Sequence, residues 1–379
     1  MRKFLCLLLS VVILIAALEI DIGAVGISVS AKAAVLIDAQ TGCVIYSKNK
    51  DMRLPMASTT KIMTTLITLE SGDIDEEFII DEQALLTEGS SMYLNQGDVV
   101  TKRELCYGMM LPSGNDAANA AALKIGGNYD DFADIMNRYA YEIGMENTSF
   151  VTPSGLHDEK HFSTAYDMAL LAQKAMENDI FREICSTSEI KLEDESWRYP
   201  RYLSNSNKLL NRYDGCIGVK TGFTDEAGRC LVSAAERNGV MLIAVTLNDP
   251  DDWNDHIRML EYGYGVSEKV YLNDVVEKVN VNVAGGVFDT VTAVLSEKPY
   301  ITAVNGKIPE ITEKVYVDNF VYAPVTEGDC LGYVKYYSDD RLVFETKLIA
   351  QESCCYKKIK VRVPLKKVII NWLKGFFTD

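Results

Sequence analysis

The chain has 379 residues, 48% of them apolar, and a formal net charge of −16. That length suits two domains with extras, and the apolar fraction supplies a sizeable core. So acidic a balance excludes a nucleic-acid binder, whose affinity rests on Lys and Arg neutralising phosphates, and is read as solubility.

Arg2 and Lys3 precede a largely apolar run over residues 4–18. A short basic start and about 15 apolar residues make a secretory signal. With a small-residue site at Ala24-Val25-Gly26, residues 1–26 are expected to be removed, leaving the rest outside the cytoplasm. Residues 33–38 and 43–46 read as strands joined by the Gln40-Thr41-Gly42 turn. Helical periodicity then covers 59–70, 102–110, 116–125, 129–143 and 163–176, the last with Ser163 or Thr164 as N-cap. Strands return at 217–220, 229–235 and 240–247, the last two flanking Asn238-Gly239, a strong hairpin signal. Residues 253–262 read as helix. Strands bracketing a block of helices predict an α+β fold over 31–272, an antiparallel sheet built from both ends with a helical cluster against it.

From 275 to 363 the texture alternates, as in Val279-Asn280-Val281-Asn282-Val283, with turn signals such as Asn305-Gly306. This predicts a small all-β C-terminal domain, a spacer or interaction module. After Pro364, Leu365, Val368, Ile369, Trp372 and Phe376 recur at helical spacing, with Lys366, Lys367 and Lys374 mainly between them. Residues 365–379 thus predict a basic amphipathic helix suited to a membrane interface and too short to span it.

Nine Cys and three His are present, with no C-x-x-C, so a zinc site is not expected. The cysteines are expected to be mostly small buried hydrophobes. His157, His161 and His256 are too spread for a Ser-His-Asp triad and are read as structural.

Three motifs carry chemistry. In Ser58-Thr59-Thr60-Lys61 the hydroxyl and amine sit three residues apart, on one face of a helix. A Ser hydroxyl needs a base, and a Lys serves if burial or a second cation lowers its pKa. Ser47…Lys50 and Ser188…Lys191 share the pattern, but only Ser58 opens a long apolar helix. The alternative for Ser58 is an ordinary N-cap. Ser113-Gly114-Asn115 lies between two helices and offers a proton-shuttling hydroxyl and an amide able to grip a peptide bond, or else a capping turn. Lys220-Thr221-Gly222 ends a strand. There Lys and Thr can hold a carboxylate, and Gly lets a substrate backbone approach the strand edge. The three in this order form the set of penicillin-binding proteins and serine β-lactamases.

In their contexts, Leu54-Pro55-Met56-Ala57-Ser58, Leu111-Pro112-Ser113-Gly114-Asn115 and Gly218-Val219-Lys220-Thr221-Gly222-Phe223, the sequence resembles the low-molecular-mass D-alanyl-D-alanine carboxypeptidases, peptidase family S11. The stretch 155–168 and the order of parts resemble that family too. The resemblance implies Ser58 as acyl-forming nucleophile, Lys61 as its base and Ser113 as proton carrier. It implies Asn115 on the substrate amide, Lys220 and Thr221 on the terminal carboxylate, and the N–H groups of Ser58 and Phe223 as oxyanion hole. The implied partners are the peptidoglycan stem peptide, β-lactam inhibitors and the outer face of a bacterial membrane, and the implied mechanism needs no metal or cofactor. One departure stands out: the family often has a basic residue about thirty positions after Lys-Thr-Gly, where this chain has Trp253, with Arg258 nearby in another register. The rivals are a serine β-lactamase, for which no Glu stands in a matching context between Ser113 and Lys220, and a non-enzymatic wall-binding protein.

Overall fold

The computed structural model describes residues 27–273, 275–358, 366, 367, 369 and 370. The signal expected over 1–26 and most of the tail helix expected over 365–379 lie outside them. The chain divides into two compact units, residues up to 269 with 302–308, and 270–301 with 309 onward.

The first unit is built on a five-stranded antiparallel sheet: β1 (Ala33–Asp38), β2 (Val44–Lys48), β5 (Cys216–Thr224), β6 (Gly228–Arg237) and β7 (Val240–Leu247), in the order β2-β1-β7-β6-β5. Strands from both ends of the unit meet in it, as predicted. β1 is buried at every position, because both faces are covered. Ala33, Val35 and Ile37 join one apolar core, and Ala34 and Leu36 another. That is the period-two alternation of a strand.

On one face pack α1 (Lys61–Glu70), α2 (Lys102–Met110), α3 (Asn115–Gly126), α4 (Tyr129–Glu142), α5 (Ala165–Ala175) and α6 (Asp179–Ser186). α7 (Asp252–Val266) packs on the other through Met259 and Leu260. α1 is buried along nine of its ten residues, so it is the central helix rather than an amphipathic surface one. α2 opens with a capping box, Thr101 accepting from Glu104 N–H and the Glu104 carboxylate accepting from Thr101 N–H. Thr164, not Ser163, caps α5 by accepting from Asp167 N–H at 3.0 Å. Asn238 (φ +53°) and Gly239 (φ +77°) make the expected hairpin, since a two-residue turn of this hand needs positive φ at both positions.

Two segments differ from the sequence reading. The strand expected to end at Lys220 runs on to Thr224, because pairing with β6 continues to Thr224 opposite Gly228. Residues 179–204 fold as α6 and a separate hairpin of β3 (Glu189–Leu192) and β4 (Arg201–Ser204). α6 is too short for a periodic signal, and the strands are too charged for an apolar one.

The second unit holds a six-stranded sheet of β8 (Lys278–Ala284), β9 (Thr290–Leu295), β10 (Thr312–Val317), β11 (Val321–Tyr322), β12 (Cys330–Ser338) and β13 (Arg341–Ala350), in the order β10-β12-β13-β9-β8-β11. Val281, Val283, Val291, Ala293, Val334 and Leu348 fill its core. No helix among the described residues is long and apolar enough to cross a membrane. Cys106, Cys185, Cys230 and Cys354 are buried, while Cys43, Cys330 and Cys355 are exposed, so burial as hydrophobes holds for only part of the set.

Candidate active site

Ser58 lies in a tight 3₁₀ turn, Ala57–Thr60, that leads into α1. It does not cap the helix: the residue before α1 is Thr60, which makes no side-chain cap bond. Ala57 just before it holds φ +48°, and Ser113 holds φ +69°. Non-glycine residues rarely take this left-handed conformation, which costs roughly 1–2 kcal/mol each and persists where surrounding structure imposes it. Ser113 and Asn115 are not caps either, since α3 starts after Gly114 with no side-chain cap bond.

Lys61 is fully buried, and its Nζ has three oxygens around it: Ser58 Oγ at 3.0 Å, Asn115 Oδ1 at 2.7 Å and the Ser154 carbonyl at 2.7 Å. Burial holds its pKa well below the ordinary lysine value, the charge of Lys220 pushes the same way, and Asp116 opposes. Lys220 is also buried, donates to the Thr221 carbonyl at 3.0 Å, and is brought down to about 7 by burial. The positive charge of Lys220 disfavours a second charge on Lys61. A neutral amine has two N–H groups and one lone pair. The amide oxygen of Asn115 and the Ser154 carbonyl can only accept, so they take both N–H groups. In that neutral form the lone pair faces Ser58 Oγ.

Each side of this centre is pinned. Asn115 also donates Nδ2–H to the Glu88 carbonyl at 2.6 Å, which leaves one N–H of that amide for a ligand. Its neighbour Asp116 accepts from Ser91 Oγ (2.6 Å), Met92 N–H (2.9 Å) and Leu94 N–H (3.0 Å), binding the 90–94 segment to the start of α3. His161 accepts at Nδ1 from Val151 N–H (2.9 Å), so its proton sits on Nε2 and is donated to Thr60 Oγ1 (2.8 Å), which donates to the Ala57 carbonyl (2.8 Å). Burial lowers its pKa to about 4. His161 is therefore a neutral strut between the 151–161 loop and the Ser58 turn. His256, between Ser233 Oγ (2.6 Å) and Thr246 Oγ1 (3.0 Å), is a second buried strut, and His157 is exposed.

β5 is the edge strand of the sheet and lies against the Ser58 turn. A Cβ on Gly222 would stand 3.1 Å from Ser58 N and 3.0 Å from the Met56 carbonyl, so the strand backbone packs closely on the turn there. Thr221 Oγ1 is 2.8 Å from Ser206 Oγ, and Phe223 is exposed. Arg258 forms ion pairs with Asp251 and Asp255, both close to it in sequence, and Trp253 lies 5.6 Å from the Arg229 guanidinium. Arg229 stands directly opposite Phe223 in the β5–β6 register, and Asp252 holds its Nη2 at 2.7 Å. Opposed residues share a face, so Thr221, Phe223 and Arg229 lie on the same face. Arg229, Ser154, Asp116 and Gly155 were not singled out as site residues from the sequence. The hairpin spacing between Phe223 and Arg229 was the available signal for the first.

A buried lysine of lowered pKa, 3.0 Å from a serine hydroxyl, beside an Asn amide and under an edge strand bearing Lys-Thr-Gly, defines a serine acyl-transfer centre of the penicillin-binding class. Residues 21–251 match the family described as D-alanyl-D-alanine carboxypeptidase, and residues 268–354 that described as penicillin-binding protein 5, C-terminal domain. D-alanyl-D-alanine carboxypeptidase DacF of Bacillus subtilis is 33% identical over 356 residues, 91% of this chain and 90% of its own. DacC of Escherichia coli is 30% identical, covering 86% of this chain and 84% of its own. Penicillin binding protein 5 from Haemophilus influenzae superposes with a TM-score of 0.63 at 27% identity, over 88% of this chain and 100% of its own. The Streptomyces K15 DD-transpeptidase gives 0.61 at 33% identity, over 64% of this chain and 100% of its own. The chain belongs to the D-alanyl-D-alanine carboxypeptidases of peptidase family S11, the low-molecular-mass penicillin-binding proteins. It is a serine-type carboxypeptidase of the cell wall that β-lactams inhibit.

Proposed function

We propose that Ser58 removes the terminal D-alanine of peptidoglycan stem peptides through an acyl-enzyme. The observation that carries this reading is the buried Lys61 Nζ, 3.0 Å from Ser58 Oγ, with its pKa held well below the ordinary lysine value by burial and by the charge of Lys220. Ser58 Oγ attacks the carbonyl joining the two D-alanines while its proton passes to Lys61 Nζ. The oxyanion rests on the N–H groups of Ser58 and Phe223. As the C–N bond breaks, the proton passes by way of Ser113 to the leaving amine, and D-alanine departs. Water then attacks the ester, with Lys61 again taking its proton, and Ser58 is restored. Asn115 aligns the substrate amide. Lys220 and Thr221 hold the terminal carboxylate, and Arg229, on the same face as Thr221, is tied to Asp252.

The chain is further read as a signal (1–26), catalytic domain (31–272), β-rich domain (275–363) and a membrane-surface helix (365–379) on the extracytoplasmic face. Supporting the last, Ile369 and Ile370 are exposed beside Lys366 and Lys367.

The test of the nucleophile is intact-mass spectrometry after brief exposure to a labelled penicillin. One adduct is expected on the wild type and none on Ser58→Ala. An adduct that persists on the variant sinks the assignment, and a slow decay on the wild type separates a carboxypeptidase from a β-lactamase.

A further inference from the structure

A groove of about 810 Å³ lies in the first unit, between the 91–98 segment and the 196–203 stretch of the β3–β4 hairpin. One end is Pro112, the neighbour of Ser113, and one wall is Ser91 and Met92. That wall is fixed to the site: the Ser90 carbonyl accepts from Asn115 N–H at 2.7 Å, and Asp116 holds Ser91 and Met92. The groove therefore adjoins the segment that Asn115 and Asp116 hold, and Asn115 aligns the substrate amide in the function proposed above. The opposite wall is braced by Trp197 Nε1–H donating to the Val99 carbonyl (2.8 Å) and Val99 N–H donating to Ser196 Oγ (2.9 Å).

The lining has a particular chemistry. The Arg201 side chain is 8% exposed, lies 3.9 Å from the Trp197 ring, pairs with Asp98 and donates through Nη2 to the Tyr93 carbonyl at 2.8 Å. Its Nη1 is buried with no hydrogen-bond partner among the described residues. Arg201 is thus part of the groove wall, its charge offset by Asp98 and its Nη1 closed to a ligand, and the cation left on the surface is Arg198. Arg198 is exposed beside it, and the Tyr93, Tyr199 and Tyr202 rings are 79%, 69% and 75% exposed. Rigid exposed tyrosines with an arginine are the makings of a binding surface, in which the rings cover apolar parts of a ligand and the guanidinium takes an anion.

We propose that this groove binds the stem peptide on the acyl side of the scissile bond and seats a carboxylate of that peptide on Arg198. The inference rests on the carboxypeptidase reading, and the experiment separates the two. Three substrates are compared by D-alanine release: a bare N-acetylated D-Ala-D-Ala, a stem pentapeptide with a free carboxylate on its second residue, and the same pentapeptide amidated there. The wild type is expected to prefer the free carboxylate by about tenfold in kcat/KM, the size of one charge-assisted hydrogen bond. Arg198→Gln and Tyr199→Ala, both on the surface, should shrink that preference while leaving the bare dipeptide rate and penicillin acylation unchanged. Release from the dipeptide with equal kcat/KM for both pentapeptides overturns the groove alone, as does a preference that survives both variants. Failure to release D-alanine from any of the three overturns the function and the groove with it.

Discussion

Gly155 is the position where one added methyl group should separate the placement of Lys61 from the stability of the fold. It sits at φ +84°, next to the Ser154 carbonyl that accepts from Lys61. A Cβ there would stand 1.9 Å from the Ala57 carbonyl oxygen, 2.5 Å from its carbon and 2.8 Å from Thr60 Oγ1. Neither backbone can yield cheaply, since Ala57 is itself held at φ +48° and tied by Thr60. Gly155→Ala must therefore push the 153–155 loop away from the Ser58 turn by more than ~1 Å. The left-handed backbone costs roughly 1–2 kcal/mol and the lost Lys61–Ser154 bond about 1 kcal/mol. The larger effect is on rate, because a misplacement of about 1 Å at a reacting pair costs on the order of 10²-fold. Gly144→Ala is the control, with the same φ of +84° and nothing within 4 Å of the added Cβ. Urea unfolding should show both variants destabilised, Gly155→Ala by about 1 kcal/mol more. The second-order rate of penicillin acylation should fall about a hundredfold in Gly155→Ala only. Equal acylation by the two variants would refute the claim that this loop sets the base.

Three further outcomes are expected. Lys220 titrates near 7 when folded and at 10.5 when unfolded, so between those values the unfolded chain holds a proton the native one lacks. Its burial penalty is complete below pH 7 and relieved as pH rises, by on the order of 1.4 kcal/mol per pH unit. Urea midpoints of wild type and Lys220→Met, measured from pH 6 to 9, should therefore converge toward alkaline pH, and parallel curves contradict the shift. His256, held neutral with a pKa lowered to about 3 from 6.5 by burial, acts at the acid end. There the unfolded state binds the extra proton, so stability falls as pH drops from 6.5 toward 3, and His256→Gln should flatten that fall in acid titrations followed by circular dichroism. Asp116→Asn replaces a carboxylate that accepts from Ser91, Met92 and Leu94 by an amide that must point N–H at one of these donors. It should lose about 3 kcal/mol of stability and slow penicillin acylation by releasing the segment behind Asn115. Unchanged rate with lowered stability would make Asp116 purely structural.

What the sequence determined by itself was local: spacings, caps and turns. Thr164 could cap only the helix that follows it, Asn238-Gly239 could make only a tight hairpin, and alternating residues had to face opposite cores. α6 and the β3–β4 hairpin were hidden because each is short and takes its stability from neighbours rather than from its own pattern. The clearest division lies in the Ser-x-x-Lys pattern, which occurs three times. Lys50 ends on the surface paired with Asp51 at 2.8 Å, and Lys191 on the surface paired with Glu193 at 2.7 Å. Only Lys61 is enclosed, by an amide 54 residues away and a carbonyl 93 residues away. The sequence set the three-residue spacing that lets serine and lysine meet. Whether the lysine is a solvated cation or a neutral base depends on desolvation, and desolvation is set by parts of the chain that meet only in the tertiary structure.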